Sequence, residues 1–283
     1  MAIKDETELY APIKALFTER GYDVKAEVRS CDLVALHPDR YTPTIVEMKK
    51  IFTLPLLLQG VDRQKTGAEV WLAVERNRTK KGAHNQRFTE ITSLCRRLGL
   101  GFITVTFFRT KDPVLEIWCE PAAAFAAEKT RAPIHPIAVS AEESQPYATA
   151  SPASGKRLKK AAQKLINEFN ARSGDYNVGG STKRKLITAY RERAIQCALA
   201  LHYHGAAAPR QVKTWTGCPN AATMLRSNYY GWFKRISKGV YELAPSGQAA
   251  LIEYAEVTAV WAAKFPWADD QFTKLTMSGA VTS

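Results

Sequence analysis

Acidic residues are nearly absent from one long block of this 283-residue chain. Residues 155–240 hold 17 Lys and Arg against 3 Asp and Glu, whereas residues 1–154 hold 21 against 19 and residues 241–283 hold 2 against 5. The formal net charge of +13 therefore comes from a single stretch. Such an excess is the electrostatic footprint of a polyanion partner, nucleic acid above all. The plain alternative is a solvated basic face. Cysteine is also scarce. The five residues are widely spaced and form no CxxC pair, which excludes a disulfide framework and a zinc finger. No apolar run reaches the roughly 18 residues of a membrane span. The stretch MAIKDETELYAPIKALF is charged at once and has no signal-peptide core, so a cytoplasmic location and no membrane partner are expected.

What the chain does have is a hydrophobic content of 46%, enough to build a core, and a length that favours two domains. Residues 5–20 carry Leu9, Ile13, Leu16 and Phe17 at helical spacing, and Gly21 ends that helix. YDVKAEV (22–28), DLVALH (32–37) and TIVEMK (44–49) are strand-length runs with β-branched residues. A helix over 53–67, a strand over 69–75, a helix over 87–99 and strands over 101–108 and 114–120 follow. The order α-β-β-β-α-β-α-β-β predicts an α/β fold with a mixed sheet flanked by helices. Residues 121–155 are rich in Ala, Pro and Ser without sustained period, which reads as a flexible linker. A second domain is expected over 156–265 and a loose tail over 266–283. In that domain a basic helix at 156–174 leads to a long helix capped by Ser181 or Thr182 and running through Tyr203. Shorter helices at 208–215 and 219–227 follow, then a hairpin around Lys238-Gly239, and a helix at 246–264. Three helices followed by a β-wing predict a winged helix-turn-helix.

CDLVALHPDRYTPTIVEMKK (31–50) poses the chemical question. Asp32, Glu47 and Lys49 sit among apolar residues on neighbouring predicted strands. Glu47 and Lys49 are two apart and share a strand face. Buried carboxylates a few ångströms apart repel strongly and require a cation between them. One solution is an ion pair with Lys49. The other is a hard divalent cation, with Mg2+ the best fit to oxygen ligands and Lys49 aimed at an attacking water. Glu27 reads equally as a further acid of this site or as an edge-strand charge. Arg63 and Gln64 read equally as phosphate contacts or as solvated helix residues.

Asp-(x14)-Glu-x-Lys across two strands, after a helix bearing Glu8, resembles the PD-(D/E)XK nuclease superfamily, with Cys31 standing where its motif proline falls. KAEV (25–28), LLLQGVDRQ (56–64), CRRLGLG (95–101), GGSTKRKLITAYRERA (179–194) and YGWFKRISKGVYELAPSG (230–247) are similar to a bacterial family of PD-(D/E)XK phosphodiesterases without assigned function. The resemblance implies a restriction-endonuclease-like domain over 1–120. It implies Mg2+, with Mn2+ as a substitute, held by Asp32, Glu47 and the Met48 backbone carbonyl. It implies that Lys49 acts at the water, with Glu8 and Gln59 as further site residues.

In a winged helix the second helix of the pair enters the major groove. That assigns Asn220, Thr223 and Arg226 to nucleic acid, with Lys234, Arg235 and Lys238 in the wing. Lys183, Arg184 and Lys185 follow GGS at an expected helix start, where backbone amides favour an anion. Tyr229, Tyr230 and Trp232 are expected in the core. The function expected first is a Mg2+-dependent nuclease acting on double-stranded DNA, with a homodimer in keeping with the superfamily. The alternatives are a non-catalytic DNA-binding regulator with a relic nuclease fold, and an RNA nuclease.

Overall fold

A computed structural model describes residues 3–77, 87–122, 160–181 and 185–268. Most of the expected linker, most of the expected tail, and Thr182, Lys183 and Arg184 lie outside the described residues. The chain divides into two compact units, residues 1–170 with 175–186, and residues 171–174 with 187–283.

In the first unit six strands form one mixed sheet in sequence order: β1 (Asp23–Val28), β2 (Cys31–Leu36), β3 (Thr44–Lys49), β4 (Glu69–Glu75), β5 (Gly101–Thr106) and β6 (Val114–Cys119). The first three are antiparallel, β3-β4-β5 are parallel, and β6 closes antiparallel on β5. Parallel neighbours need a crossover. Helices α2 (Leu54–Gln64) and α3 (Phe88–Arg97) stand between β3 and β4 and between β4 and β5 in the chain. Thr53 caps α2 by accepting from the Leu56 amide at 3.3 Å, and Pro55 fits its first turn, where no amide partner is needed.

Helices cover both faces of the sheet. On one, Ile13 and Phe17 of α1 (Tyr10–Glu19) pack with Val46, Met48 and Trp71. On the other, Leu56 of α2 and Phe88 and Cys95 of α3 pack with Val34, Ile45, Leu72 and Phe102. Leu165, Ile166 and Phe169 of α4 (Lys160–Asn170) join this second core. The sequence placed this helix in the second domain because it follows the expected linker and opens the basic block. Its apolar stripe settles the matter differently. Lys25 Nζ donates to the Phe169 carbonyl at 3.0 Å and lies 4.4 Å from the ring centroid. Residues 175–186 also belong to the first unit. Asp175 accepts from Tyr10 Oη, from Lys14 Nζ at 2.6 Å and from the Ala26 amide at 2.8 Å. The border expected at 156 therefore falls inside one folded unit, and Lys160, Lys164 and Lys185 carry part of the basic block onto it.

The second unit contains α5 (Ala189–His204), α6 (Pro209–Thr216), α7 (Ala221–Ser227), the hairpin β7 (Phe233–Ser237) and β8 (Val240–Leu243), then α8 (Pro245–Glu253) and α9 (Ala255–Ala262). Thr188, not Ser181 or Thr182, caps α5, accepting from the Arg191 amide at 3.2 Å. Lys185 consequently precedes the helix instead of lying in its first turn. The hairpin turns at Lys238-Gly239, where Gly239 has φ +77°, and Ala207 bridges to Tyr241 as a third, one-residue strand. The helix expected over 246–264 is broken at Tyr254 into α8 and α9. Trp232 is buried as expected. Tyr229 is 80% exposed, because it follows Asn228, whose left-handed backbone (φ +42°) ends α7 and turns the next residue outward.

Candidate active site

β2 and β3 run antiparallel with Leu33 opposite Val46. Continuing that register one step brings Asp32 beside Glu47. Asp32 Oδ2 accepts from the Met48 amide at 2.8 Å, and the two carboxyl groups are close enough to interact electrostatically. Glu47 is fully buried. Burial pushes its carboxyl up to about 7, helped by the negative charge of Asp32 and opposed by Arg63. Burial also raises Asp32, against the Met48 amide and the Lys49 charge. A carboxylate pair of this kind is costly without a cation.

Lys49 lies at the end of β3 and donates to Glu6 Oε2 at 2.7 Å. Burial works against its charge, but Glu6 with Asp32 and Glu47 together outweigh burial and the ammonium is favoured overall. Glu6, in a 3-10 turn over Glu6–Leu9, and not Glu8, is thus the acid paired with Lys49. Glu8 instead turns back on the chain, accepting from the Lys4 and Asp5 amides at 2.6 and 3.1 Å. The spacing Asp5-x-x-Glu8 is a capping-box signature that marks Glu8 for this role.

Gln59 reaches the site as expected. Its Nε2 donates to Glu47 Oε2 at 2.6 Å. Arg63, one turn further along α2, donates from Nε to Glu47 Oε1 at 2.6 Å and from its guanidinium to the Ser30 carbonyl. Residues four apart share a helix face, so the pairing of Gln59 with Arg63 was available from their spacing. Gln64 is turned away and donates to the Leu98 carbonyl at 2.8 Å. Glu27 has φ +54° and accepts from the Ser181 amide at 3.1 Å. Its neighbour Gly179 presses on the site from the same segment. A methyl group there would collide with the Asp32 carbonyl oxygen and the Met48 side chain.

Among the described residues no cluster of three or more His, Cys, Asp and Glu side chains could hold a metal. What the site offers is a pair of buried carboxylates with the Met48 backbone alongside. Hard oxygen donors in that number suit Mg2+, which keeps several waters and needs only one or two carboxylates. The donor chemistry therefore fits a divalent cation, although both Glu47 oxygens are engaged by Gln59 and Arg63.

Apart from Lys183, Arg184 and Lys185, the expected nucleic-acid residues fall into three groups. Thr223 and Arg226 are exposed on α7, and Lys234, Arg235 and Lys238 are exposed on the hairpin. Lys234 is paired with Glu242 at 3.1 Å. Asn220 is half-buried at the start of α7, where its Oδ1 accepts from Cys218 Sγ at 3.3 Å. Among the described residues no helix is long and apolar enough to cross a membrane.

A family model described as "Putative PD-(D/E)XK phosphodiesterase (DUF2161)" matches residues 136–250. The match contains GGSTKRKLITAYRERA and YGWFKRISKGVYELAPSG but not Asp32, Glu47 or Lys49. The six-stranded mixed sheet with helices on both faces is compatible with the fold that this description names. Comparison with individual proteins and with solved structures gave no significant match.

Proposed function

We propose that the protein is a divalent-metal-dependent phosphodiesterase that cleaves nucleic acid, with Mg2+ as the metal and double-stranded DNA as the substrate. The observation that carries this reading is the meeting of Asp32 and Glu47 on adjacent strands, beside Lys49. Asp32, Glu47 and the Met48 carbonyl are the oxygen donors for the ion. A bound divalent cation would supply Lewis-acid polarisation of a phosphoryl oxygen and acidify a water. Lys49, kept charged by Glu6, donates to the attacking water or to the charge that grows on the phosphate. Gln59 fixes the Glu47 carboxylate. The family description points to the same reaction class.

The second unit supports the choice of duplex DNA. Its α5-α6-α7-hairpin order, with the Ala207–Tyr241 bridge, has the parts of a winged helix. Thr223 and Arg226 then face the groove, while Lys234, Arg235 and Lys238 meet phosphates. Cleavage of plasmid and linear DNA with Mg2+ or Mn2+ tests the proposal, with Lys49→Ala and Asp32→Ala beside wild type. Cutting by wild type and binding without cutting by both variants is the expected result. Tight binding with no cutting under either metal would favour a second reading, a DNA-binding regulator on a relic nuclease fold. The full engagement of Glu47 by Gln59 and Arg63 is the observation behind that second reading.

A further inference from the structure

Each oxygen of Glu47 has a donor. Arg63 Nε and Gln59 Nε2 each approach one of its oxygens at 2.6 Å. The Glu47 side chain is fully enclosed, while that of Arg63 is 21% exposed. Gln59 is neutral and can keep its bond to Oε2 while the other oxygen changes partner. Arg63 cannot share in the same way. A guanidinium is charged throughout the working pH range, and a divalent cation on Oε1 would stand within a few ångströms of it. Two cations at that range in a poorly solvated site repel strongly. One of the two must leave, and only Arg63 is tethered by a side chain that reaches solvent.

We propose that Arg63 is a built-in occupant of the metal position, which neutralises Glu47 until a divalent cation displaces it and then becomes a phosphate ligand for the substrate. The inference rests on reading Asp32 and Glu47 as metal ligands. Two features give it physical content. A buried carboxylate pair repels, and a tethered arginine relieves this without needing an ion. The guanidinium fork is also the side-chain group best shaped for two-point contact with a phosphate. It sits on α2 in direct contact with Glu47, one of the residues that would hold the metal. Its second contact, to the Ser30 carbonyl, is a single hydrogen bond to a neutral acceptor and does not bar release.

Calorimetric titration of the full chain with Mn2+ alone tests the first half, using wild type, Arg63→Gln, Arg63→Lys and Glu47→Gln. Arg63→Gln removes the competing charge and should bind Mn2+ at least fivefold tighter. Arg63→Lys keeps the charge and should stay near wild type. Unchanged or weaker binding by Arg63→Gln overturns displacement. Improvement in both variants would mean that bulk, not charge, obstructs the site, and would overturn it as well. Glu47→Gln is the separate control. If it binds Mn2+ like wild type, the metal reading itself fails, independently of Arg63. Duplex binding tests the second half, measured by fluorescence anisotropy at saturating Mn2+ in a Lys49→Ala background that does not cut. Adding Arg63→Gln should weaken binding about tenfold, and no change would overturn the phosphate role. Thermal unfolding in EDTA shows whether Arg63→Gln is folded. If it is not, Arg63→Met and Arg63→Ala, both uncharged, carry the same two predictions.

Discussion

The two units handle charge in opposite ways. In the first, the decisive charges are buried and few. Asp32 and Glu47 lie between strands, and each has named partners within hydrogen-bond distance. In the second, the cations on α7 and on the hairpin are exposed, and several have solvent as their main neighbour. A buried charge survives only where partners compensate it, so its chemistry is local and depends on single atoms. An exposed charge interacts weakly with each neighbour and acts through the sum. Loss of one buried partner should therefore disable a function outright. Loss of one exposed cation should only shade it.

The largest effect should come from the buried side of that comparison. Lys49→Ala is expected to lower the rate of DNA cleavage by about 10²–10³ with little change in DNA affinity, as for loss of one group that stabilises developing charge. Rates and affinities of wild type and variant, measured side by side, check this. Equal loss in both would move Lys49 from chemistry to substrate binding. Next is Gly179→Ala. The added methyl meets the Asp32 backbone oxygen, which cannot swing aside. A destabilisation of about 1–3 kcal/mol is expected in chemical denaturation. A normal midpoint would show that segment 175–181 does not hold the site.

How far the sequence revealed these features depended on which interactions set them. The element order of the first unit was legible because each strand is a short β-branched run ended by a turn or a glycine. Leu9, Ile13 and Phe17 likewise marked α1 by their period. The shared face of Glu47 and Lys49, and the approach of Asp32 to them across the hairpin, were legible because strand side chains alternate, whereas Gln59 on α2 came only from the family resemblance. Glu8 came from the family resemblance, and the pairing of Glu6 with Lys49 depends on a 3-10 turn that the helix expected over 5–20 did not signal. The α4 helix was misassigned because charge was read as a domain label, while Leu165, Ile166 and Phe169 decide where it packs. The contacts of Asp175, Gly179 and Ser181 lie more than 130 residues from their partners, and no local pattern signals them. Val28 and Cys31 close a two-residue turn whose Arg29 and Ser30 have φ +50° and +61°. Such turns usually contain Asn or Gly, so this hairpin carried no local signature.

A third prediction concerns pH. Burial raises the Glu47 carboxyl from 4.5 to about 7, so the folded metal-free protein retains a proton that the unfolded chain has released. Its contribution to stability is present below 4.5 and is lost as pH rises towards 7. Asp32 shifts in the same direction. Thermal unfolding in EDTA should therefore show a falling midpoint over this window. Mn2+ should oppose the fall, because a cation compensates the ionised pair. A flat profile without metal would mean that Arg63 already compensates the pair fully. The stabilisation by Mn2+ should then also be absent.

The smallest effects belong to the exposed side. Arg235→Ala and Lys238→Ala should each leave folding within about 0.5 kcal/mol of wild type. Each should lower the slope of log affinity against log salt by about 0.9 if the cation meets one phosphate. The effect should be nearly the same on duplexes of different sequence, because phosphate contacts position without reading bases. Lys234→Ala should do less, since Glu242 already holds that ammonium at 3.1 Å. Affinity measured over a salt series on two unrelated duplexes separates these cases. An abrupt loss of binding from any one of the three would break the comparison, because that cation would be acting as the buried charges do, through one indispensable contact. A sequence-dependent loss would instead assign it to base recognition and move the reading face from α7 to the hairpin.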